Sequence, residues 1–264
     1  MSSTKQQQRA RAAKQQAKWE ARQAARKHKQ RIYRIVAGVC VLALVGAGVA
    51  IAALTGNNDG SLDAADDPTA TESPYFDDTA PDDSTGQNEG DVPDPAIAEG
   101  RTWTATMTTS AGDIVMELDG AAAPQAVANF IALARDGFFT NTSCHRLVTS
   151  GIFVLQCGDP EGTGMGGPGW NFGPIENAPA DDVYPAGTLA MARVGGNAYS
   201  MGSQFFLVYE DSTIPSDQAG GYTVFGRITS GLDVVQSIAN DGVEGGASDG
   251  SPATQVVIEG VEVQ

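Results

Sequence analysis

Lysine disappears from this chain after Lys29, and beyond Arg34 the remaining cations are five arginines between Arg101 and Arg227. Histidine is scarcer still, with His28 and His145 alone, and the cysteines are Cys40, Cys144 and Cys157. No Cys/His cluster stands at zinc spacing, which excludes a structural or hydrolytic zinc site. Cys144 and His145 are neighbours on a strand and point apart, so they do not form a thiolate–imidazole pair. A G-x-S-x-G elbow is missing, since Ser203 lies in Met201-Gly202-Ser203-Gln204. The run Gly162 to Gly167 fits G-x-G-x-x-G, but Pro168 and Pro174 stand where a nucleotide-binding helix would begin, so it reads as a surface loop. There is no internal repeat. No metal or organic cofactor is expected.

What is present divides into three compositions that the net charge of -16 averages away. Up to Arg34 there are eleven Lys or Arg and one acid, Glu20; from Thr55 to Gly100 there are thirteen acids and no cation. Between them, Ile35 to Leu54 is twenty uncharged residues of Val, Ala, Leu, Ile and Gly with Cys40. At ~1.5 Å per residue this run crosses a hydrocarbon core of about 30 Å. Lys27, Lys29, Arg31 and Arg34 before it place residues 1–34 in the cytoplasm as a solvated basic tail, and everything after Leu54 outside. Ala50-Ile51-Ala52 offers a cleavage site, yet the long basic region and apolar run favour an uncleaved anchor. Cys40 lies too early in the run for a lipid anchor. Residues 55–100 hold too few apolar side chains to offset ordering entropy and are expected to be a disordered acidic spacer. No nucleic acid is expected as a partner.

A domain over 101–264 follows, with about 160 residues to build one core. Thr102 to Thr108 and Asp113 to Leu118 alternate as a hairpin around Ser110-Ala111-Gly112. Pro124 suits a first helical turn, Val127, Phe130, Ile131 and Ala134 follow at helical spacing, and Gly137 stops the helix. Further strands are predicted at Thr188 to Ala192, Gln204 to Tyr209, Tyr222 to Ile228 and Gln255 to Val263, with a second helix at Leu232 to Ile238. This pattern is mainly β, a closed antiparallel barrel capped by two helices.

The chemistry concentrates between Cys144 and Asp159. Leu147-Val148 and Ile152 to Leu155 flank a Thr-Ser-Gly turn, which predicts a hairpin. With Leu147 and Leu155 inward, alternation brings Arg146 and Gln156 out together beside Val148 and Val154. An arginine and a glutamine on an apolar sheet face suit a neutral polar group such as a peptide carbonyl. His145, facing away from Arg146, reads as a satisfied structural histidine, and Phe205 and Phe206 divide between core and pocket. On a regular ladder the Cys144 and Cys157 thiols fall on opposite faces, and a bulge at Gly158 or a shifted turn would reverse that. Outside the membrane disulfides persist, so the pairing stays open.

His145-Arg146-Leu147, Phe153 to Pro160 and Gly162 to Trp170 resemble the signature region of the cyclophilin peptidyl-prolyl isomerases. Gly187 to Ala192, Gly202 to Phe206 and Tyr222 to Arg227 continue it in the family's order, so the resemblance covers about residues 102 to 264. With the anchor and spacer, the chain is most similar to extracytoplasmic cyclophilins of actinobacterial type. The resemblance implies an eight-stranded antiparallel barrel capped by two helices, and isomerisation of X-Pro bonds in peptides and unfolded exported proteins. It makes Arg146, Gln204 and Phe206 catalytic. Phe153, Val154, Gln156, Ala192, Arg193, Tyr222 and His145 match substrate-binding positions, with Phe153 and Phe206 as the floor of the proline pocket. Val154 stands where Met is frequent, Arg193 where Asn is usual, and Tyr222 where many members have His. The turn after Arg146 is two residues longer than in the common eukaryotic form. Cyclosporin is a ligand the family brings, but Ser212 to Gly221 lacks the tryptophan that favours it. A second reading keeps the same groove as a catalytically weak chaperone or docking surface.

Overall fold

The structure is a computed structural model and describes residues 87–264. The span expected at 35–54 lies outside the described residues, as do the basic tail and most of the spacer. No helix among the described residues is long and apolar enough to cross a membrane.

The alternation that begins at Thr102 becomes β1 (Thr102–Thr109) and β2 (Gly112–Asp119), paired from Thr102↔Asp119 to Thr109↔Gly112. Trp103, Ala105, Met107, Ile114, Met116 and Leu118 are buried, as period-two alternation requires. The helix α1 (Pro124–Arg135) starts with proline in its first turn. It ends in a left-handed Gly137 with two closing bonds, Phe138 N–H to Leu133 O and Gly137 N–H to Ala134 O. Its start carries no side-chain cap of its own. Glu176, far along the chain, accepts from the N–H groups of Gln125 and Ala126 instead, at 3.0 and 2.9 Å.

After α1 come β3 (Thr142–Ser143), β4 (Arg146–Ser150), β5 (Ile152–Cys157), β6 (Val183–Tyr184), β7 (Thr188–Met191) and β8 (Phe205–Val208). β9 (Ser212–Thr213), β10 (Val224–Ser230), α2 (Leu232–Asp241), β11 (Asp249–Gly250) and β12 (Val257–Val263) complete the order. Ten strands form one antiparallel sheet, β11-β4-β5-β8-β7-β10-β2-β1-β12-β3, while β6 pairs with β9. Eight of the ten match the number expected; β3 and β11, two residues each, sit at the edges.

Two expectations are corrected. The sheet curls without closing through its edge strands, because β11 and β3 do not pair with each other. The chain itself crosses the seam: Cys144 N–H bonds Val256 O on one side, and His145 N–H bonds Gln156 O on the other. The ordered body also begins before Arg101. Asp94 caps a short 3-10 turn at Pro95–Ala98, Ala98 is buried, and Glu89 pairs with Asn171. The disordered spacer therefore does not extend over residues 87–100.

Inside the curl, α1 places Phe130 against Phe139, Phe205 and Phe225 with ring centres 5.1 to 5.5 Å apart. A smaller cluster lies on the opposite face of the sheet: Val148, Val154, Tyr184, Ala190, Phe206, Val208 and Ile214. This second apolar face is the one that carries the polar residues of interest.

Candidate active site

Pairing registers set the site. Arg146 on β4 faces Gln156 on β5, Gln156 faces Phe206 on β8, Phe206 faces Ala190 on β7, and Ala190 faces Val224 on β10. Direct cross-strand partners share a face, so the five side chains form one row across the sheet. The next row, Val148, Val154 and Val208, lies beside it.

The polar groups of the row are locked. Arg146 donates from Nε and Nη2 to the two oxygens of Asp249, at 2.8 and 2.6 Å, and from Nη1 to Gln156 Oε1 at a long 3.4 Å. Gln156 Nε2 donates to Gln204 Oε1 at 2.9 Å. Gln204 spends its own Nε2 hydrogens on Gly164 O and Gly166 O, both at 2.8 Å. With both donors used by carbonyls, Gln204 must turn its oxygen to Gln156, and Gln156 must then turn its oxygen to Arg146. The amide orientations follow from the Gly-rich loop.

That loop is held from below by Asp159, which is fully buried. Its carboxylate accepts from the N–H groups of Glu161, Thr163 and Gly164 at 2.6 to 2.8 Å and from Thr163 Oγ1 at 3.2 Å. Burial alone would raise its pKa, but these backbone bonds reverse the effect and hold it below the ordinary aspartate value. A side chain at position 166 would collide with the Asp159 carboxylate, so glycine there is a steric requirement.

At the other end, Tyr222 meets Phe206 edge to face at 5.5 Å and packs on the second cluster. The guanidinium of Arg193 lies 4.7 Å from the Tyr222 ring centre. Its side chain is 1% exposed and binds Gly221 O, Gly220 O and Asp217. Asp217 is pulled down to about 2, because bonds from Arg193, Gly196 and Ala219 outweigh the opposing desolvation. Arg193 therefore braces the loop that carries Tyr222. Ala192 uses its N–H on Gln204 O at 3.0 Å and lines the second cluster.

A family model described as "Cyclophilin type peptidyl-prolyl cis-trans isomerase/CLD" matches residues 104–263. The chain belongs to the cyclophilin family. A Mycobacterium leprae protein named "Probable peptidyl-prolyl cis-trans isomerase B" is 46% identical over 66% of this chain and 60% of its own length. The protein of that name from Mycobacterium tuberculosis is 46% identical over 65% of this chain and 56% of its own. The chain thus matches well under two thirds of the length of both. Peptidyl-prolyl cis-trans isomerase B of Bacillus subtilis is 41% identical over 49% of this chain and 85% of its own. Among solved structures, a Cryptosporidium parvum cyclophilin determined in the presence of the dipeptide Ala-Pro superposes with a TM-score of 0.52 at 30% identity. It covers 61% of this chain and 98% of that one.

Arg146, Gln156, Gln204, Phe206, Val154, Ala192 and Tyr222 come together on the second apolar face of the sheet. Phe153 does not. Alternation turns it to the core side, where it packs against the main cluster and meets Tyr209 edge to face at 5.9 Å. Ile152, two residues from Val154 on the same face, takes its place beside the groove cluster. His145 is not the satisfied histidine expected: both ring nitrogens are buried without a hydrogen-bond partner. Burial pushes its pKa down, Asp159 opposes that, and Arg146 adds to the fall. Cys144 and Cys157 are bonded to each other. Sequence reasoning missed Asp249, which holds Arg146, and Tyr184, whose hydroxyl accepts from the Tyr222 N–H at 2.8 Å. Nothing local marks either, since Asp249 comes from a two-residue strand and Tyr184 from a loop hairpin.

Proposed function

We propose that this cyclophilin catalyses cis–trans isomerisation of X-Pro bonds in exported proteins. The observation that carries the reading is the row in which a fixed Arg146 stands one strand from Gln156 and two from Phe206. Proline would seat its ring on Phe206 within the apolar patch of Val154, Ile152, Ile214 and Tyr222. The barrier, about 18–20 kcal/mol, comes from amide resonance that is lost as the bond twists. Twisting localises a lone pair on the prolyl nitrogen. A guanidinium held beside that nitrogen binds the twisted state better than the planar one, and this difference is what accelerates the reaction. Gln204 fixes the Gln156 amide beside the guanidinium, and the second Nε2 hydrogen of Gln156 is the donor left for a substrate carbonyl. Each ~1.4 kcal/mol of differential stabilisation gives tenfold in rate. The Ala-Pro dipeptide named with the related cyclophilin supports a proline-containing ligand.

The reading includes a membrane anchor at residues 35–54 with the cyclophilin domain outside the cytoplasm, supported by the uncharged run and the basic residues before it. The Cys144–Cys157 bond fits an oxidising compartment. Cyclosporin is left out, because Ile214 and Pro215 occupy a segment without tryptophan.

The test is prolyl exchange on a proline tetrapeptide, catalysed by the full chain in detergent and by Arg146→Ala. Wild type should catalyse, and the variant should lose at least about tenfold while still folding and binding peptide. A folded wild type without catalysis would make the groove a docking surface instead.

A further inference from the structure

Arg146 must be held in a site that is mostly closed to water, since its side chain is 11% exposed. A guanidinium in that position costs free energy unless an anion and good hydrogen bonds replace its hydration. Asp249 supplies both: its two oxygens take Nε and Nη2 at 2.8 and 2.6 Å, a side-on pair that fixes the plane of the guanidinium. Gln156 at 3.4 Å is too distant to do this alone.

Asp249 is itself placed with care. On β11 it faces Val148, so on the shared face it stands diagonal to Arg146, two residues back along β4. Thr149 N–H binds Ser248 O at 2.8 Å, Glu244 N–H binds Ser251 O at 2.8 Å, and Val243 pairs with Pro252. These bonds pin the excursion that carries Asp249 to the groove edge. Among the described residues, the other three arginine ion pairs, Arg101–Glu99, Arg193–Asp217 and Arg227–Glu117, include no residue of the Arg146 row.

We infer that Asp249 is the positioning residue of this isomerase: its carboxylate fixes the Arg146 guanidinium so that Nη1 is the nitrogen presented along the row toward Gln156 and the proline pocket. Resting on the isomerase reading above, this assigns to Asp249 a role in turnover rather than in substrate affinity. Without it, Arg146 has other rotamers open to it, and the fraction aimed at the prolyl nitrogen falls. The neutrality of the pair also suits a substrate group, the amide, that carries no net charge.

The experiment measures prolyl exchange on a proline tetrapeptide with full-length wild type, Asp249→Ala, Asp249→Asn and Glu117→Ala, alongside melting temperature and the solvent exchange of the Arg146 Nε–H. Asp249→Ala should lower kcat about tenfold with KM within about twofold, and its Arg146 Nε–H should exchange faster. Asp249→Asn, whose amide oxygen keeps one acceptor for Nε–H, should recover part of the loss. Glu117→Ala, which removes the Arg227 pair, should catalyse like wild type. An Asp249→Ala variant within about twofold of wild type, or one whose loss tracks its unfolded fraction, overturns the inference while leaving the isomerase reading intact. A wild type without catalysis overturns both.

Discussion

Asp159 shows how one buried side chain can set the position of others that it never touches. Its carboxylate organises the loop 161–166, whose Gly164 and Gly166 carbonyls fix the Gln204 amide, which fixes Gln156 beside Arg146. Because its folded pKa lies below the unfolded value near 4, ionised Asp159 stabilises the fold. That contribution is complete above the unfolded pKa and is lost as pH falls through the lower folded one. Asp159→Asn leaves N–H groups facing an amide that offers one acceptor where the carboxylate offered two. We expect it to cost about 1–3 kcal/mol at pH 7. Urea unfolding at pH 7 and at pH 3 should show the gap between variant and wild type narrowing at the acid end; a gap independent of pH would refute the linkage.

At the scale of elements, the hairpin β4–β5 was legible because its turn and both apolar runs are local. Leu147 opposite Leu155 and Arg146 opposite Gln156 follow from alternation alone. The same rule, followed strictly, places Phe153 on the core face, and matching to family positions assigned it to the groove instead. For the cysteines the rule misled, because it assumed a ladder that reaches Cys144. The ladder begins at Arg146, and Cys144 still belongs to the other side of the seam, bonded to Val256. Glu176 capping α1 from some fifty residues away had no local signal at all. Non-local pairing of that kind is what sequence periodicity does not encode. The bridge brackets Arg146 and Gln156 at the seam and spans 13 residues. Replacing Cys144 and Cys157 by alanine should therefore cost about 3 kcal/mol by the chain-entropy relation, read from denaturant midpoints. Thiol titration of the denatured, unreduced wild type should find Cys40 alone; a count of three would mean the bridge does not form.

For the whole molecule, the proposed arrangement is basic tail inside, uncharged span, acidic spacer and cyclophilin domain outside, a proposal that rests on the charge pattern. The spacer makes that arrangement testable by protease choice. Between Arg34 and Arg101 there is no Lys or Arg, whereas Tyr75 and Phe76 are the aromatic residues of the 55–100 segment. An extended acidic spacer would expose that pair to chymotrypsin and offer trypsin nothing. Residues 87–100 are ordered against the domain, so cleavage at 75–76 would leave the whole folded body in one piece. Protoplasts expressing the full chain and treated with chymotrypsin should release a soluble fragment beginning just after Tyr75 or Phe76, and that fragment should catalyse prolyl exchange. Trypsin should not cut within the spacer. Protection of the domain until the cells are lysed would reverse the orientation. Release of the domain without any protease would replace the anchor with a cleaved leader, and in either case the isomerase reading would stand on the groove alone.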